Sequence, residues 1–196
     1  LKLRRGVLDD LSKLNQLKLK QVGDPEIATR IAQYELAFRM QLDATEAFDL
    51  SHEPAHIHKH YGKGEHALQT LIARRLLERG VRYVQLWHGG GQPWDNHEKI
   101  EENHRRLAQE IDQPISALLT DLKQRGMLED TIVLWGGEFG RTPDNNRRGG
   151  VYALGRGHNV DAMTMLMAGG GVKKGAIVGA TDEIGAEAAE VVHPIR

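Results

Sequence analysis

Apolar residues in the first half of the chain recur at helical spacing. Asp24-Pro25 is typical of a helix start, with an N-cap residue followed by proline at the first helical position. A later apolar series closed by Gly80 indicates a further helix. The pattern predicts a helical segment over residues 1–79, with a polar stretch at 43–64 that is irregular apart from a short helix. The apolar positions are Val7, Leu11 and Leu14, then Ile27, Ile31, Tyr34, Phe38 and Leu42, and finally Leu68, Leu71, Ile72 and Leu76.

The second half of the chain repeats one local order twice. RRLLERG leads into the apolar run VRYVQLW and then HGGG, while DLKQRG leads into TIVLW and then GGEFGRTP. A helix, a glycine cap, an apolar strand and a glycine-rich loop form the unit of an α/β sheet with buried parallel strands. A third apolar run, Ala162 to Ala168, is another strand candidate. We therefore expect one α/β domain over 1–196, with a mainly parallel sheet flanked by helices in residues 80–196.

Composition narrows the classes of function. The chain has 26 basic and 27 acidic residues, a formal net charge of −1 and no long run of one sign, so nucleic-acid binding is not expected. No apolar run approaches the length that crosses a bilayer, so no membrane span is expected. Because there are no cysteines, disulfides and thiolate ligands are excluded, and any metal must be held by His, Asp, Glu or Asn.

The loop after VRYVQLW carries the first group of candidate site residues. Asp95 and His97 flank one residue, and a close carboxylate and imidazole can supply part of a Zn²⁺ or Mn²⁺ site. The alternative is that Asn96 caps the following helix, with Asp95 near its positive end. His88, at the end of the predicted strand, is a candidate substrate-binding residue, with a structural histidine as its alternative.

The loop after TIVLW carries the second group. Glu138 is a carboxylate at the carboxyl end of a strand, which suits a metal, and Arg141 can hold sulfate or phosphate with two parallel hydrogen bonds. The alternative is an ion pair between these two residues that only fixes the loop. His158, in the glycine-rich segment GRGHN, is a further candidate ligand or else a structural or solvated histidine.

Taken in order, these segments resemble the alkaline phosphatase and sulfatase superfamily. The run from Asp112 to Gly140 is similar to the helix and strand that lead to a metal-binding DHG motif in that superfamily. The closer resemblance is to a bacterial sulfatase-like family of unknown function, which has W-D-x-H, G-E-F-G-R-T-P and G-R-D-H segments. This chain has WDNH from Trp94, GEFGRTP from Gly137 and GRGHN from Gly155, and the similarity covers roughly residues 24–193.

The resemblance implies an alkaline-phosphatase-like fold with a divalent metal ion, Zn, Ca or Mn, as its cofactor. It implies that Asp95, His97, Glu138 and His158 are the metal ligands and that Arg141 contacts the oxyanion of the substrate. The superfamily's nucleophile lies on N-terminal strands that this chain does not resemble. The chain is therefore expected to be an incomplete domain, with its nucleophile outside the fragment. The alternative is that a metal-bound water attacks the ester directly. Export from the cytoplasm is suggested by the resemblance alone.

Two functions are expected from this combination. The first is a metal-dependent hydrolase of sulfate or phosphate esters, acting on a small molecule or a glycan. The second is a non-catalytic, sulfatase-like binding or assembly module. Two departures from the family pattern motivate the second: Phe139 stands where the superfamily has a metal-binding histidine, and Gly157 replaces the aspartate of G-R-D-H.

Overall fold

The computed structural model of this protein describes the backbone of residues 2–148 and 151–192, and within these ranges all side chains except those of 2–4, 39–44, 145–148 and 151–153. Two compact units are present. One comprises residues 1–52 and 75–83, and the other comprises residues 53–74 and 84–196.

The first unit is built on two long helices, α1 (Lys2–Val22) and α2 (Pro25–Phe48). Gly23, at a φ of 72°, makes the turn between them, and the Asp24 carboxylate accepts the Glu26 amide at 2.9 Å, which confirms the predicted N-cap. At the other end of α2, Arg75 donates to the carbonyls of Ala47 and Glu46 at 2.9 and 2.7 Å. Carbonyls at a helix end lack partners within the helix, so this arginine supplies a donor to Ala47 and a second donor to Glu46, whose carbonyl also accepts the Asp49 amide at 3.3 Å.

The apolar positions of these two helices are only partly buried. Phe38 and Ala47 are buried at 9% and 0% exposure, but the predicted apolar positions of α1 are more than two-fifths exposed. The helical spacing therefore predicted these two helices, although α2 continues through residues 43–48 of the stretch that was expected to be irregular. α1 keeps its apolar stripe open to solvent. The exposed residues are Val7, Leu11 and Leu14.

The second unit contains three helices, α3 (Ala55–Tyr61), most of α4 (Glu65–Glu78) and α5 (Ile100–Gln124). The inner face of α5 is apolar at spacings of three and four residues, each large side chain adding about 1.5–3 kcal/mol by its burial. Gly80, at a φ of 80°, ends α4 as predicted. The buried apolar residues of α5 are Leu107, Ile111, Pro114, Ala117, Leu118 and Leu122.

A buried ionic network joins these helices. Arg74, only 2% exposed, contacts Glu53 at 2.8 Å and Asp121 at 3.1 Å. The Tyr61 hydroxyl donates to Asp121 at 3.0 Å, and Arg125 donates to the other oxygen of the same carboxylate at 2.7 Å. Burial, the first cause, and the Asp121 charge raise the pKa of Tyr61 above its usual range. Each charge in this interior is therefore balanced by a partner.

The strands correct the predicted fold class. The described strands form three two-stranded sheets, all antiparallel, and about half of the described residues are helical, so the mainly parallel sheet flanked by helices is wrong. TIVLW does form β1 (Ile132–Trp135), and the third apolar run contributes β4 (Leu166–Gly169), which pairs antiparallel with β1. VRYVQLW, residues 81–87, forms no strand. An apolar run indicates β propensity, but it specifies neither a partner nor the direction of pairing.

Two segments that the sequence assigned to glycine-rich loops are strands instead. GRTP opens β2 (Gly140–Arg148), and GRGHN closes β3 (Val151–Asn159), the two pairing as an antiparallel ladder. A small third sheet joins β5 (Ala180–Thr181) to β6 (Ala188–Glu190). In the part of the chain that the structure describes, no helix has the length and apolar character needed to cross a membrane.

Candidate metal centre

A compact turn presents Asp95 and His97. The Asp95 amide donates to the Gln92 carbonyl at 3.1 Å, and the Asn96 side-chain amide donates to the Pro93 carbonyl at 2.7 Å. The Asn96 side chain therefore stabilises the turn by this hydrogen bond. It does not cap α5, whose N-cap position is Lys99. The two side chains that flank Asn96 approach each other, with His97 Nε2 3.2 Å from Asp95 Oδ1.

The β2–β3 ladder brings two more side chains to this turn. Arg141 on β2 and His158 on β3 are direct cross-strand partners. Directly opposed residues in an antiparallel pair lie on the same face, so both side chains can reach one target. Arg141 Nη1 donates to Asp95 Oδ1 at 2.5 Å, and His158 Nε2 lies 2.9 Å from the same oxygen.

Asp95 is the electrostatic centre of the cluster. One carboxylate oxygen lies within 3.2 Å of Arg141, His97 and His158. Hydrogen bonding from Arg141, and then from His158, lowers the pKa of Asp95 to about 2. The carboxylate is therefore ionised at neutral pH, the state that a metal ligand requires.

Aromatic packing holds the imidazoles in place. The Phe139 ring lies 4.4 Å from the His158 ring and 5.8 Å from the Arg141 guanidinium carbon, measured to the ring centroid. The His97 and His158 rings are 5.1 Å apart. Phe139 stands where the superfamily that the sequence resembles has a metal-binding histidine. Its ring packs against His158 and Arg141.

The backbone of β3 passes very close to the turn that carries Asp95 and His97. The Arg156 amide donates to the Asn96 carbonyl at 3.2 Å. One residue earlier, a Cβ atom at Gly155 would fall 1.9 Å from the His97 carbonyl carbon. Only glycine permits this approach, so the GRGHN glycine has a packing reason.

The ligand atoms of Asp95, His97 and His158 all lie within 4.8 Å of one another. One carboxylate and two imidazoles fit Zn²⁺ or Mn²⁺, and three protein ligands are the number that catalytic zinc sites use. Glu138 is exposed and lies outside this group, so its assignment as a ligand stays a prediction. Arg141 contacts Asp95 within the cluster, whereas no ion pair between Glu138 and Arg141 is formed.

His88 belongs to a neighbouring aromatic group. Its Nδ1 accepts the Trp94 indole N–H at 3.1 Å, and its Nε2 lies 3.1 Å from Glu110. Since both ring nitrogens are engaged by protein groups, the geometry gives no support to substrate binding by His88, which stays a prediction. His66 and His104 complete this group. Neither was predicted as a site residue, because nothing in the sequence around them indicates a function.

Comparison with known proteins places the chain in a family. No curated protein and no solved structure matches the chain, so the similarity to the alkaline phosphatase and sulfatase superfamily stays a prediction. A family model described as a protein of unknown function, DUF1501, matches residues 1–196. Because that match spans the whole sequence, the chain belongs to the DUF1501 family.

Proposed function

We propose that this chain is a metal-dependent hydrolase of sulfate or phosphate esters, with Asp95, His97 and His158 as the metal ligands. The observation that carries the proposal is the convergence of these three ligand atoms within 4.8 Å, beside an arginine. A divalent metal bound there would stabilise the negative charge that develops on the transferred group. The substrate class would be a small-molecule or glycan ester.

The ligand types favour some metals over others. Two imidazole nitrogens and one carboxylate suit Zn²⁺ or Mn²⁺, whereas Ca²⁺ prefers six to eight oxygen ligands. Asp95 is already ionised at neutral pH because Arg141 and His158 donate to it. Histidine must be neutral to bind a metal, so protons compete with the metal for the two imidazoles.

Arg141 is the residue proposed to contact the substrate oxyanion. Its Nη1 is held by Asp95 and its Nη2 by the Trp94 carbonyl, at 3.3 Å. A guanidinium has five N–H donors, so donors remain after these two contacts. The side chain is 22% exposed, which leaves part of it accessible to a ligand. Fixed orientation and spare donors are the properties that planar, bidentate recognition of sulfate or phosphate uses.

The first test is metal content. Purified protein is loaded with Zn²⁺ or Mn²⁺, desalted and analysed for bound metal, together with Asp95→Ala and His158→Ala. His56→Ala is the matched control, because His56 is an exposed histidine of α3 outside the cluster. We expect one metal per chain in the protein and the control and a strong loss in both cluster variants. Absence of bound metal after loading would remove the proposal.

The second test is hydrolysis of p-nitrophenyl sulfate and p-nitrophenyl phosphate by the metal-loaded protein. We expect release of p-nitrophenol with at least one ester, abolished in His158→Ala. Arg141→Lys should raise KM more than it lowers kcat, because a lysine retains the charge but loses the bidentate geometry. Stoichiometric metal without hydrolysis of either ester would contradict hydrolase activity while leaving the metal centre in place.

The alternative proposal is a non-catalytic binding or assembly module. It is favoured by one observation: Arg141 and His158 hydrogen-bond to Asp95 Oδ1 and His97 Nε2 lies 3.2 Å from the same oxygen, so the cluster is held together by protein groups without a metal. Under this alternative, the metal-loading experiment returns no bound metal, and Asp95→Ala lowers thermal stability without any change in metal content.

A further inference from the structure

The backbone carbonyl of Trp94 is a junction between α5 and the candidate metal centre. His104 Nε2, on the first turns of α5, lies 3.0 Å from this carbonyl oxygen, and Arg141 Nη2 donates to the same oxygen at 3.3 Å. A carbonyl oxygen can only accept, so His104 must carry its proton on Nε2. This carbonyl belongs to the peptide that links Trp94 to Asp95, and its direction therefore sets the orientation of the Asp95 backbone.

The Trp94 side chain is anchored to the same helix by a second route. Its indole N–H donates to His88 Nδ1 at 3.1 Å, so His88 keeps its proton on Nε2 and directs it to the Glu110 carboxylate at 3.1 Å. The Trp94 ring lies 5.7 Å from the His88 ring and 5.2 Å from the His104 ring. Trp94 is thus held between two histidines, one of them on α5 and the other bonded to it.

α5 is packed tightly into the core near the residues that make these contacts. Leu107 and Ile111, which lie on the helix close to His104 and Glu110, are 2% and 6% exposed. Positions that are packed in this way resist displacement because a protein interior is as dense as an organic crystal. The hydrogen bond from His104 on this helix therefore holds the Trp94 carbonyl in a fixed position.

We infer that His104 is a positioning residue for the metal centre, acting through the Trp94 carbonyl to hold Asp95 where His97, His158 and Arg141 converge. The expected effect on metal affinity rests on the proposed function. The hydrogen bond between His104 and the Trp94 carbonyl, in contrast, is present without a metal. Groups that orient metal ligands typically change metal affinity by about 10–100-fold when they are lost. His104 itself touches neither a ligand side chain nor Arg141 among the contacts described above, so its effect must pass through the peptide.

The test separates the hydrogen bond from the bulk of the ring. His104→Gln keeps an N–H donor, and His104→Phe keeps a ring without a donor. His104→Ala removes both the ring and the donor. It is included because a phenylalanine that fits poorly could disturb the site by its bulk alone. His56→Gln is the control, as an exposed histidine outside the cluster. Circular dichroism and thermal unfolding first establish that each variant is folded.

Two readouts follow. Long-range ¹H–¹⁵N spectra of the imidazoles, recorded without metal and assigned with single histidine substitutions, report the environment of the His97 and His158 rings. Co²⁺ titration followed by its visible absorption reports affinity and ligand geometry. We expect His104→Phe and His104→Ala to shift both ring signals and weaken Co²⁺ binding about 10–100-fold, with an altered spectrum. His104→Gln should restore most of both properties.

Unchanged ring signals and Co²⁺ binding in folded His104→Ala would overturn the inference, and so would a His104→Gln variant as impaired as His104→Ala. Should the unmodified protein bind no Co²⁺, the proposed function fails. The metal-free imidazole spectra then still decide whether His104 positions Asp95, so the two failures are distinguishable.

Discussion

Gly155 lies where the β3 backbone passes directly against the backbone of His97, and substituting it tests how tightly the centre is assembled. A Cβ atom at this position would lie 1.9 Å from the His97 carbonyl carbon, whereas ordinary contact begins at 3.4 Å. Gly155→Ala must therefore separate the strand and the turn by the difference, about 1.5 Å. A shift of this size breaks the 3.2 Å hydrogen bond from Arg156 to Asn96 and draws His158 away from Asp95.

The expected result has two parts. Because metal sites need their ligands within about 0.5 Å of the productive position, Zn²⁺ affinity should fall at least tenfold. Overpacking should also lower the free energy of unfolding by about 1–3 kcal/mol. Calorimetric titration and urea unfolding measure the two effects. Gly90→Ala is the matched control, since no atom lies within 4 Å of its Cβ position and its φ is not left-handed. Wild-type affinity and stability in Gly155→Ala would refute the close-approach argument.

Two further predictions concern the second unit. Arg74→Met removes the buried cation that contacts both Glu53 and Asp121 and should cost about 3–5 kcal/mol in urea unfolding. Exposed Arg105→Met should stay within about 0.5 kcal/mol, and equal effects of the two substitutions would contradict the buried network. Burial lowers the pKa of His66, so the unfolded chain binds the proton more readily and stability should fall as pH drops below about 6.5. His66→Gln should flatten that slope, and an unchanged slope would contradict it.

Local signals in the sequence predicted local structure well. Asp24-Pro25 gave the start of α2, Gly80 the end of α4, and TIVLW the strand β1. Each of these depends on a few consecutive residues, such as a side chain that accepts a backbone amide or a glycine with a positive φ. For the two helix ends the information is complete within the segment, so no knowledge of distant residues was needed.

Pairing between distant segments was not predictable in the same way. VRYVQLW is as apolar as a buried strand, yet within the described residues it is not assigned as a strand, and Tyr83 and Trp87 are 78% and 73% exposed. GRTP and GRGHN are polar and glycine-rich, yet they pair with each other. A ladder is formed by two segments at once, and neither reveals from its own composition which partner it will meet.

The candidate centre depends on such a pairing. W-D-x-H places Asp95 and His97 together locally, but Arg141 and His158 are 46 and 63 residues from Asp95 and reach it because they are opposed across β2 and β3. A slip of one residue in that register would send one of the two side chains to the opposite face of the sheet. Glu138, two residues before β2 begins, shares no such register and remains exposed outside the cluster. The types of residue in the centre could therefore be predicted from the sequence. Which of the candidate residues reach Asp95 is decided by the position and register of the β2–β3 ladder.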